Sequence, residues 1–580
     1  MDFLKNLLAS VMGFFIACTI ILFSIILIAF FVGQEEEIEV KTNSVLKLSL
    51  EAVVKDYAPK ATDPISEILG QNEDFIGLNA IATAIENAKY DANIKGISLE
   101  TKAVSAGLTQ VKSIREALTS FKESGKFIFA HGDFYGQKEY YLSSVADSVF
   151  VSPLGEVEFK GLAFETLFFK DFQDKYGMKM EVIRHGKYKS AVEPYLENKM
   201  SDSNRLQLKE LIDSIWDDVL TGVSEEREVT KETLNHIADN LLGRSAELAK
   251  ENHLVDGVIY KDAYDAKITN LLGGKFSTIS LTDYIKTGKG AKFNSSPNKI
   301  AVIYAQGEII YGRGDENYVG QEMIIEALKK ARNKESIKAV VLRVNSPGGS
   351  ALASDLIWRE LELTKAEKPL IVSMGDLAAS GGYYIACNAD KIVAEPSTIT
   401  GSIGVYGIVP NISEFSENIG IHSDRVATNK GGSYSAFQPM NAAYYKVTKE
   451  GVDKVYHSFV SKVAKGRNMT FEEAHELAQG RVWTGTQALQ NGLVDELGGL
   501  ERAMEIAATA AGLSDYRTVN YPSYEKDFKE TLKGIPFIKS EASLLKEWVG
   551  TANFQLFKKL QDLKTAMGMQ ARLPFVYELK

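Results

Sequence analysis

At 580 residues the chain is long enough for two or more domains. Apolar residues make up 45% and charged residues 24%, the balance of an ordinary globular protein. A formal net charge of −10 argues against a general nucleic-acid binder, and the two cysteines, Cys18 in the hydrophobic N-terminal segment and Cys387 in the helix expected after Ser380, predict no disulfide and no cysteine-built metal site.

Leu7 to Gly33 carries no charged residue and is dominated by Leu, Ile, Phe and Val. About 20 residues at 1.5 Å each cross a bilayer, so this run suffices with some to spare. It is longer than a usual signal-peptide core, and no small-x-small cleavage pattern follows it. The reading is an uncleaved transmembrane anchor over 7–33. Lys5 and the terminal amine precede it and Glu35-Glu36-Glu37 follow it. The positive-inside tendency then puts the N-terminus in the cytoplasm and the rest of the chain outside.

Beyond this run the sequence repeats itself. At one constant offset Gly132-Asp133 falls on Gly375-Asp376, Tyr140-Tyr141 on Tyr383-Tyr384, Asp147 on Asp390 and Pro153 on Pro396. Ile94-Lys95 falls on Ile337-Lys338, and Gly161 on Gly404. This predicts two tandem copies of one α/β domain, roughly residues 40–280 and 295–515, with a Gly-, Lys-, Ser- and Asn-rich linker near Gly288–Asn298. In the second copy Lys299–Ala305, Ala339–Val344, Leu370–Ser373 and Lys391–Ala394 read as strands, and Glu322–Ala331 has helical spacing between the first two. That succession suits a mainly parallel sheet covered by helices. The tail, 516–580, reads as helical and is partly amphipathic at Glu541–Met567.

Two stretches of the second copy carry candidate chemistry. Ser380 sits in the small-residue turn Ala378-Ala379-Ser380-Gly381-Gly382, between an apolar strand and helix-forming residues. The glycines let another backbone approach the serine, and the strand-to-helix turn aims N–H groups at whatever it attacks. A turn whose serine only caps a helix fits this stretch alone equally well. Upstream, the buried-strand pattern Ala339–Val344 runs into Asn345-Ser346-Pro347-Gly348-Gly349, a turn whose exposed N–H groups could hold an oxyanion. The pair, on successive strand-to-helix junctions, favours a nucleophile with its cradle.

The copies are most informative where they differ. Gln137 stands where the second copy has Ser380, and Glu100–Ala106 replaces the Pro-Gly-Gly stretch, so the first copy cannot run this chemistry alone. Matching Ser-Ala-x-x-Pro in both copies sets Lys189 opposite Tyr434. A serine hydroxyl needs a base. None of the seven histidines lies in the nucleophile segment or in a triad motif, although His185 is near Lys189. A lysine serves if burial disfavours its charged form. Most lysines are on the surface, the expectation for Lys187, and the repeat comparison is what singles out Lys189.

Asn345–Gly349, Ala378–Tyr384, Thr400-Gly401-Ser402-Ile403-Gly404 and Tyr188–Pro194 together resemble the signal peptide peptidase A family in its long tandem form. The resemblance covers essentially the whole chain after the anchor. It implies two fused Clp protease/crotonase-like domains forming a serine endopeptidase that digests cleaved signal peptides in the membrane, on the extracytoplasmic side of the cell inner membrane. It implies Ser380 as nucleophile, Lys189 as general base, Ser402 orienting the lysine, and no metal or cofactor. The oxyanion would be held by the N–H groups of Gly349 and Gly381. The family's long form implies a homotetramer, a bowl open towards the membrane. Two other readings of the same fold are a crotonase-type acyl-CoA enzyme and an inactive membrane scaffold. The first generally needs carboxylates near the oxyanion glycines, and Asp355 is the nearest.

Overall fold

The computed structural model describes residues 2–32, 38–58, 75–290, 294–429, 434–524 and 569–572. The uncharged N-terminal run lies in a helix, Asp2–Val32. The side chains of 24–33 lie outside the described residues, and among the described residues no helix is long and apolar enough to cross a membrane.

Two sheets follow. The first has six strands in the order Gly257–Val258, Ser148–Val151, Phe127–Gly132, Ile94–Leu99, Ser44–Leu48, Ser277–Ser280, all parallel. The second has eight strands, and its central path runs Val482–Thr484, Ile399–Gly401, Leu370–Ala379, Ile337–Ser346, Lys299–Gln306, Arg517–Tyr521. Only the pair Val482–Thr484 and Ile399–Gly401 is antiparallel.

The sequence offset holds residue for residue: helix Leu78–Tyr90 falls on Gln321–Asn333, Leu108–Lys122 on Ala351–Lys365, and strand Ser148–Val151 on Lys391–Ala394. The helices form because their apolar residues share one face. Met323, Ile324, Ala327, Leu328 and Ala331 are the buried apolar residues of Gln321–Asn333. Strand Ile337–Ser346 is instead buried along almost its whole length, as a central parallel strand with helices on both faces must be.

The tail corrects one expectation. It begins as strand rather than helix, because Arg517–Tyr521 is rich in the strand-favouring Thr518, Val519 and Tyr521 and pairs in parallel with the edge of Lys299–Gln306. Met569–Arg572 is also a strand. The helical segment expected at 541–567 lies outside the described residues.

A third, mixed sheet binds the copies together. Lys179–His185 of the first copy pairs antiparallel with Val405–Asn411 of the second, His185 opposite Val405 and Lys179 opposite Asn411. The cores cross over as well. Ala379, Ile399 and Val482 of the second copy pack into the core of the first, and Ile183 of the first into that of the second. Each such fully buried branched side chain contributes about 1.5–3 kcal/mol to holding the copies in register. Arg343 Nε donates to Asp56 at 2.9 Å, a buried ion pair between the copies. Burial opposes the Arg343 charge, yet Asp56 beside it holds the pKa above its ordinary value.

Glu395 lies fully buried, and neither of its carboxyl oxygens has a hydrogen-bond partner among the described residues. Burial first, and then the nearby Glu116 of the first copy, push its pKa up to about 8, against an unfolded value of 4.5. Below pH 4.5 the carboxyl is neutral in both states, so it adds no pH dependence. From there to about 8 the unfolded chain is ionised while the folded chain keeps the proton, and stability falls with rising pH. Glu395→Gln should therefore flatten the pH dependence of unfolding. In denaturant melts of the solubilised chain it should gain on the order of a few kcal/mol over wild type at pH 8 and little at acid pH. An unchanged slope would show that Glu395 is already ionised in the fold.

Candidate active site

Strand Leu370–Ala379 ends at Ser380, and helix Gly381–Ala386 begins immediately after it. Ser380 has φ 56° and ψ −114°, a conformation that costs a residue with a Cβ about 1–3 kcal/mol. Its N–H donates to the Gly401 carbonyl at 2.8 Å, and its carbonyl accepts from Tyr384 N–H at 2.8 Å. The helix is anchored from behind by the Tyr383 hydroxyl, which donates to the Leu493 carbonyl at 2.8 Å. The two glycines are required by crowding. A Cβ on Gly381 would stand 2.8 Å from Ser354 Oγ, and one on Gly382 2.7 Å from the Ser346 carbonyl oxygen. The turn is thereby pressed onto Asn345–Gly349.

Lys189 arrives from the other copy on the short loop that leaves strand Lys179–His185. Its neighbour Tyr188 donates its N–H to the Gln479 carbonyl at 2.9 Å. Gly480 is packed so closely that a Cβ there would lie 2.7 Å from Lys189 Cβ, and one on Gly404 would lie 3.2 Å from Lys189 Cδ. The side chain is thus threaded between two glycine backbones of the second copy. At its end, Nζ lies 2.9 Å from Ser380 Oγ, 3.0 Å from Ser402 Oγ and 3.1 Å from the Ser402 carbonyl oxygen. Lys189, Ser380 and Ser402 are all fully buried. Burial holds the Lys189 pKa well below the ordinary 10.5. Ser402 is itself held at φ 51°, with its N–H donating to the Arg481 carbonyl at 2.6 Å.

Gly348 and Gly349 lie beside this group. Gly349 has φ 155°, and a Cβ on it would strike the Ile309 carbonyl oxygen at 2.1 Å. A Cβ on Gly348 would lie 2.6 Å from the Gly381 nitrogen, so the Gly-Gly strand and the amide after Ser380 adjoin each other. The site residues expected from sequence are brought together in this way, one from the first copy and the rest from the second.

The remaining candidates point elsewhere. Lys187 is exposed. His185 lies 2.7 Å from an Asp453 oxygen through Nδ1 and stacks on Tyr456. Tyr434, aligned with Lys189, donates its hydroxyl to the Pro410 carbonyl. Asp355, the carboxylate nearest the glycines in sequence, accepts from the Tyr384 hydroxyl at 2.7 Å and pairs with Lys462. In the first copy Gln137 is tied into a loop: its Oε1 accepts from Lys160 and Gly161 N–H, each at 3.0 Å, and its amide donates to the Gly161 carbonyl at 3.1 Å. The position that holds Ser380 in one copy holds a structural clasp in the other.

One participant escaped the sequence reading. Strand Met569–Arg572 lies against Gly348–Ser350, with Ala571 opposite Gly349. It lies outside both copies, so no repeat comparison could expose it, and a four-residue strand carries little pattern of its own.

The model of peptidase family S49 matches this chain twice, at residues 120–273 and 362–514. Protease 4 of Haemophilus influenzae is 36% identical over 525 residues, which cover 87% of this chain and 84% of that protein. The chloroplastic serine protease SPPA of Arabidopsis thaliana is 33% identical over 485 residues, 82% of this chain and 70% of that one. Among solved structures, a ClpP1 mutant from Listeria monocytogenes superposes with a TM-score of 0.24 at 14% identity, over 36% of this chain and 95% of that chain. With the family matched once in each copy and a relative aligned over most of its length, the chain belongs to peptidase family S49 and is a serine peptidase.

Proposed function

We propose that the chain is a membrane-anchored endopeptidase that degrades cleaved signal peptides through an acyl-enzyme on Ser380, with Lys189 as the general base. The observation that carries the reading is the 2.9 Å approach of Lys189 Nζ to Ser380 Oγ inside a fully buried pocket. A neutral amine has two N–H donors and one lone pair. The three neighbours of Nζ suit that inventory: the Ser402 carbonyl and hydroxyl oxygens, 3.1 and 3.0 Å away, take the two N–H donors, and the lone pair is left to face Ser380 Oγ at 2.9 Å. Ser402 therefore aims the lone pair at the nucleophile, as an orienting residue rather than a reacting one.

In the forward step Ser380 Oγ attacks the peptide carbonyl as its proton passes to Lys189. The ammonium then protonates the leaving amine, and water repeats the sequence to release the acid. The amides of Gly349 and Gly381 hold the oxyanion, an interaction whose loss typically costs about 2.7–4 kcal/mol of barrier per donor.

The substrate class, the Clp protease/crotonase-like domain type and the homotetramer rest on the family resemblance of the four motifs. The anchor at 7–33 rests on the uncharged run, and the orientation, with the peptidase domains on the extracytoplasmic side of the inner membrane, on Lys5 before it and the three glutamates after it. The test is fluorophosphonate labelling of carbonate-washed membranes from cells expressing the chain. The washed membranes should retain the labelled protein and should hydrolyse a detergent-solubilised signal peptide. Release of the labelled protein into the wash would remove the anchor, and failure to label would favour an inactive scaffold or a crotonase-type enzyme.

A further inference from the structure

Lys189 lies on the loop between strand Lys179–His185 and the short 3₁₀ helix Ser190–Val192. Gln207, on the long helix Asp202–Arg227 that follows in the first copy, reaches back to this loop and is buried. Its amide nitrogen lies 3.1 Å from the Tyr188 carbonyl oxygen and 3.1 Å from Ser190 Oγ, on the two residues that flank Lys189. Its amide oxygen accepts from the Val482 N–H of the second copy at 3.4 Å. A backbone N–H can only donate, so the carboxamide is turned with its oxygen to the second copy and its nitrogen to the Lys189 loop. Asn204, one turn earlier, holds it that way. The Asn204 oxygen lies 3.0 Å from the Gln207 nitrogen, while its own amide donates to Glu193 at 2.9 Å.

The anchor in the second copy is the strand that holds Ser402. Val482 lies opposite Gly401 in the antiparallel pair of Val482–Thr484 with Ile399–Gly401. Ser402 follows Gly401 directly, and its N–H donates to the carbonyl of Arg481, the residue before Val482, at 2.6 Å. One carboxamide thus touches both flanks of Lys189 and the strand that fixes Ser402. The same helix face keeps that strand in register. Gln207, Glu210 and Ser214 have the i, i+3, i+7 spacing of a single helical stripe. Glu210 pairs with Arg481, Gln207 takes Val482, and Ser214 Oγ lies 2.8 Å from Thr484 Oγ1. The Arg481 guanidinium also lies over the Tyr188 ring, 5.2 Å from its centroid.

We propose that Gln207 is a positioning residue for the base, holding the Lys189 loop against the Ser402 strand so that the amine stays aligned on Ser380 and out of water. The proposal rests on the reading of Ser380 and Lys189 above. Gln207 acts through two properties of the amine. The first is aim. Nζ has its three neighbours between 2.9 and 3.1 Å away, and a small shift of the loop breaks all three contacts. The second is protonation. Burial alone holds the Lys189 pKa below its ordinary value, so a loop loosened enough to admit water lets it climb back towards 10.5. The titratable groups around the loop are otherwise engaged: His185 with Asp453, Glu193 with Ser201 and Asn204, and Glu210 with Arg481. Leucine at 207 is of similar size, but it takes a donor from each flank of Lys189 and leaves the Val482 N–H without that acceptor.

The experiment measures kcat, KM and the pH profile of fluorogenic-peptide turnover for the full-length Gln207→Leu and Gln207→Glu variants, with the thermal midpoint of each. Glutamate is isosteric, but its carboxylate cannot donate to the loop. Both variants should keep KM and lose kcat by on the order of 10²-fold. The pH at which turnover levels off should rise by about one unit. The discriminating arm is the Lys189→Met background. A residue that works through the amine has nothing to work on there, so adding Gln207→Leu should change the residual turnover by less than about twofold. A mere loss of folded protein would lower turnover in both backgrounds alike. Folded variants with wild-type kcat and an unshifted profile would overturn the proposal and leave the Ser380–Lys189 reading in place. An equal loss with and without the Lys189 amine would overturn it too, as would failure of both variants to fold. Undiminished turnover in Lys189→Met would overturn the base reading and the proposal with it.

Discussion

Ser380→Ala will lower the turnover of a fluorogenic peptide by on the order of 10⁴-fold or more while leaving the fold intact. The size follows from what the hydroxyl does. In the proposed mechanism it is the atom that forms the covalent bond, and without it the oxyanion amides and the lysine would have nothing to activate. Stability should change little. Serine and alanine both carry a Cβ, so the strain at φ 56° is the same in each. The variant loses one contact to the Lys189 amine, worth about 1 kcal/mol. The copy-to-copy packing through Ala379 and Ile399 is untouched. The check is a pair of measurements on one preparation, kcat and the thermal midpoint. Residual turnover above a trace in a fully folded variant would mean that another nucleophile operates, and Gln137 could not be it, since a carboxamide is not a nucleophile and this one is tied to the Lys160 and Gly161 backbone.

Much of this site was legible because evolution wrote the domain twice. Ser380 stands out against Gln137, and Lys189 against Tyr434, from the repeat alone. The strands and helices of the second copy were readable for a different reason. Lys299–Gln306 and Ile337–Ser346 are buried on both faces, so their apolar runs are continuous, and Gln321–Asn333 buries a single helical face. The mixed sheet was not readable. Its strands come from both copies and from the tail, and pairing between segments so far apart leaves no local periodicity. Nor was the Arg343–Asp56 pair, because a single arginine in an apolar strand gives no hint of its partner. What the sequence could not supply was how Lys189 crosses to the other copy. The antiparallel register of Lys179–His185 on Val405–Asn411 supplies it, delivering the lysine beside Ser402.

Lys189→Arg will be as inactive as Lys189→Ala, each down on the order of 10³–10⁴-fold, whereas Lys187→Ala will keep full turnover. A base must be neutral in the resting enzyme. Burial holds the Lys189 pKa well below 10.5, so wild-type activity should rise with pH as the ammonium gives up its proton and then level off. Arginine cannot follow that course, since guanidinium stays protonated at any working pH and offers no lone pair. It also brings a larger head into a channel walled by Gly404 and Gly480. Lys189→Met separates the loss of the amine from this crowding, being of similar length and uncharged. Its stability relative to wild type carries a sign that can be worked out. In wild type the folded state releases a proton that the unfolded chain keeps up to 10.5, so the unfolded chain binds more protons between the lowered folded pKa and 10.5. Wild-type stability therefore climbs with pH across that window and falls as the pH drops through the folded value, while Lys189→Met lacks the slope. Denaturant melts from neutral to strongly basic pH should show the difference between the two proteins shifting steadily in favour of wild type up to 10.5, beginning at the pH where peptide turnover levels off. A stability slope that sets in at the pH where turnover reaches its plateau would tie both to the same proton. An active Lys189→Arg enzyme, or turnover that shows no rise with pH before that window begins, would take the amine out of the mechanism.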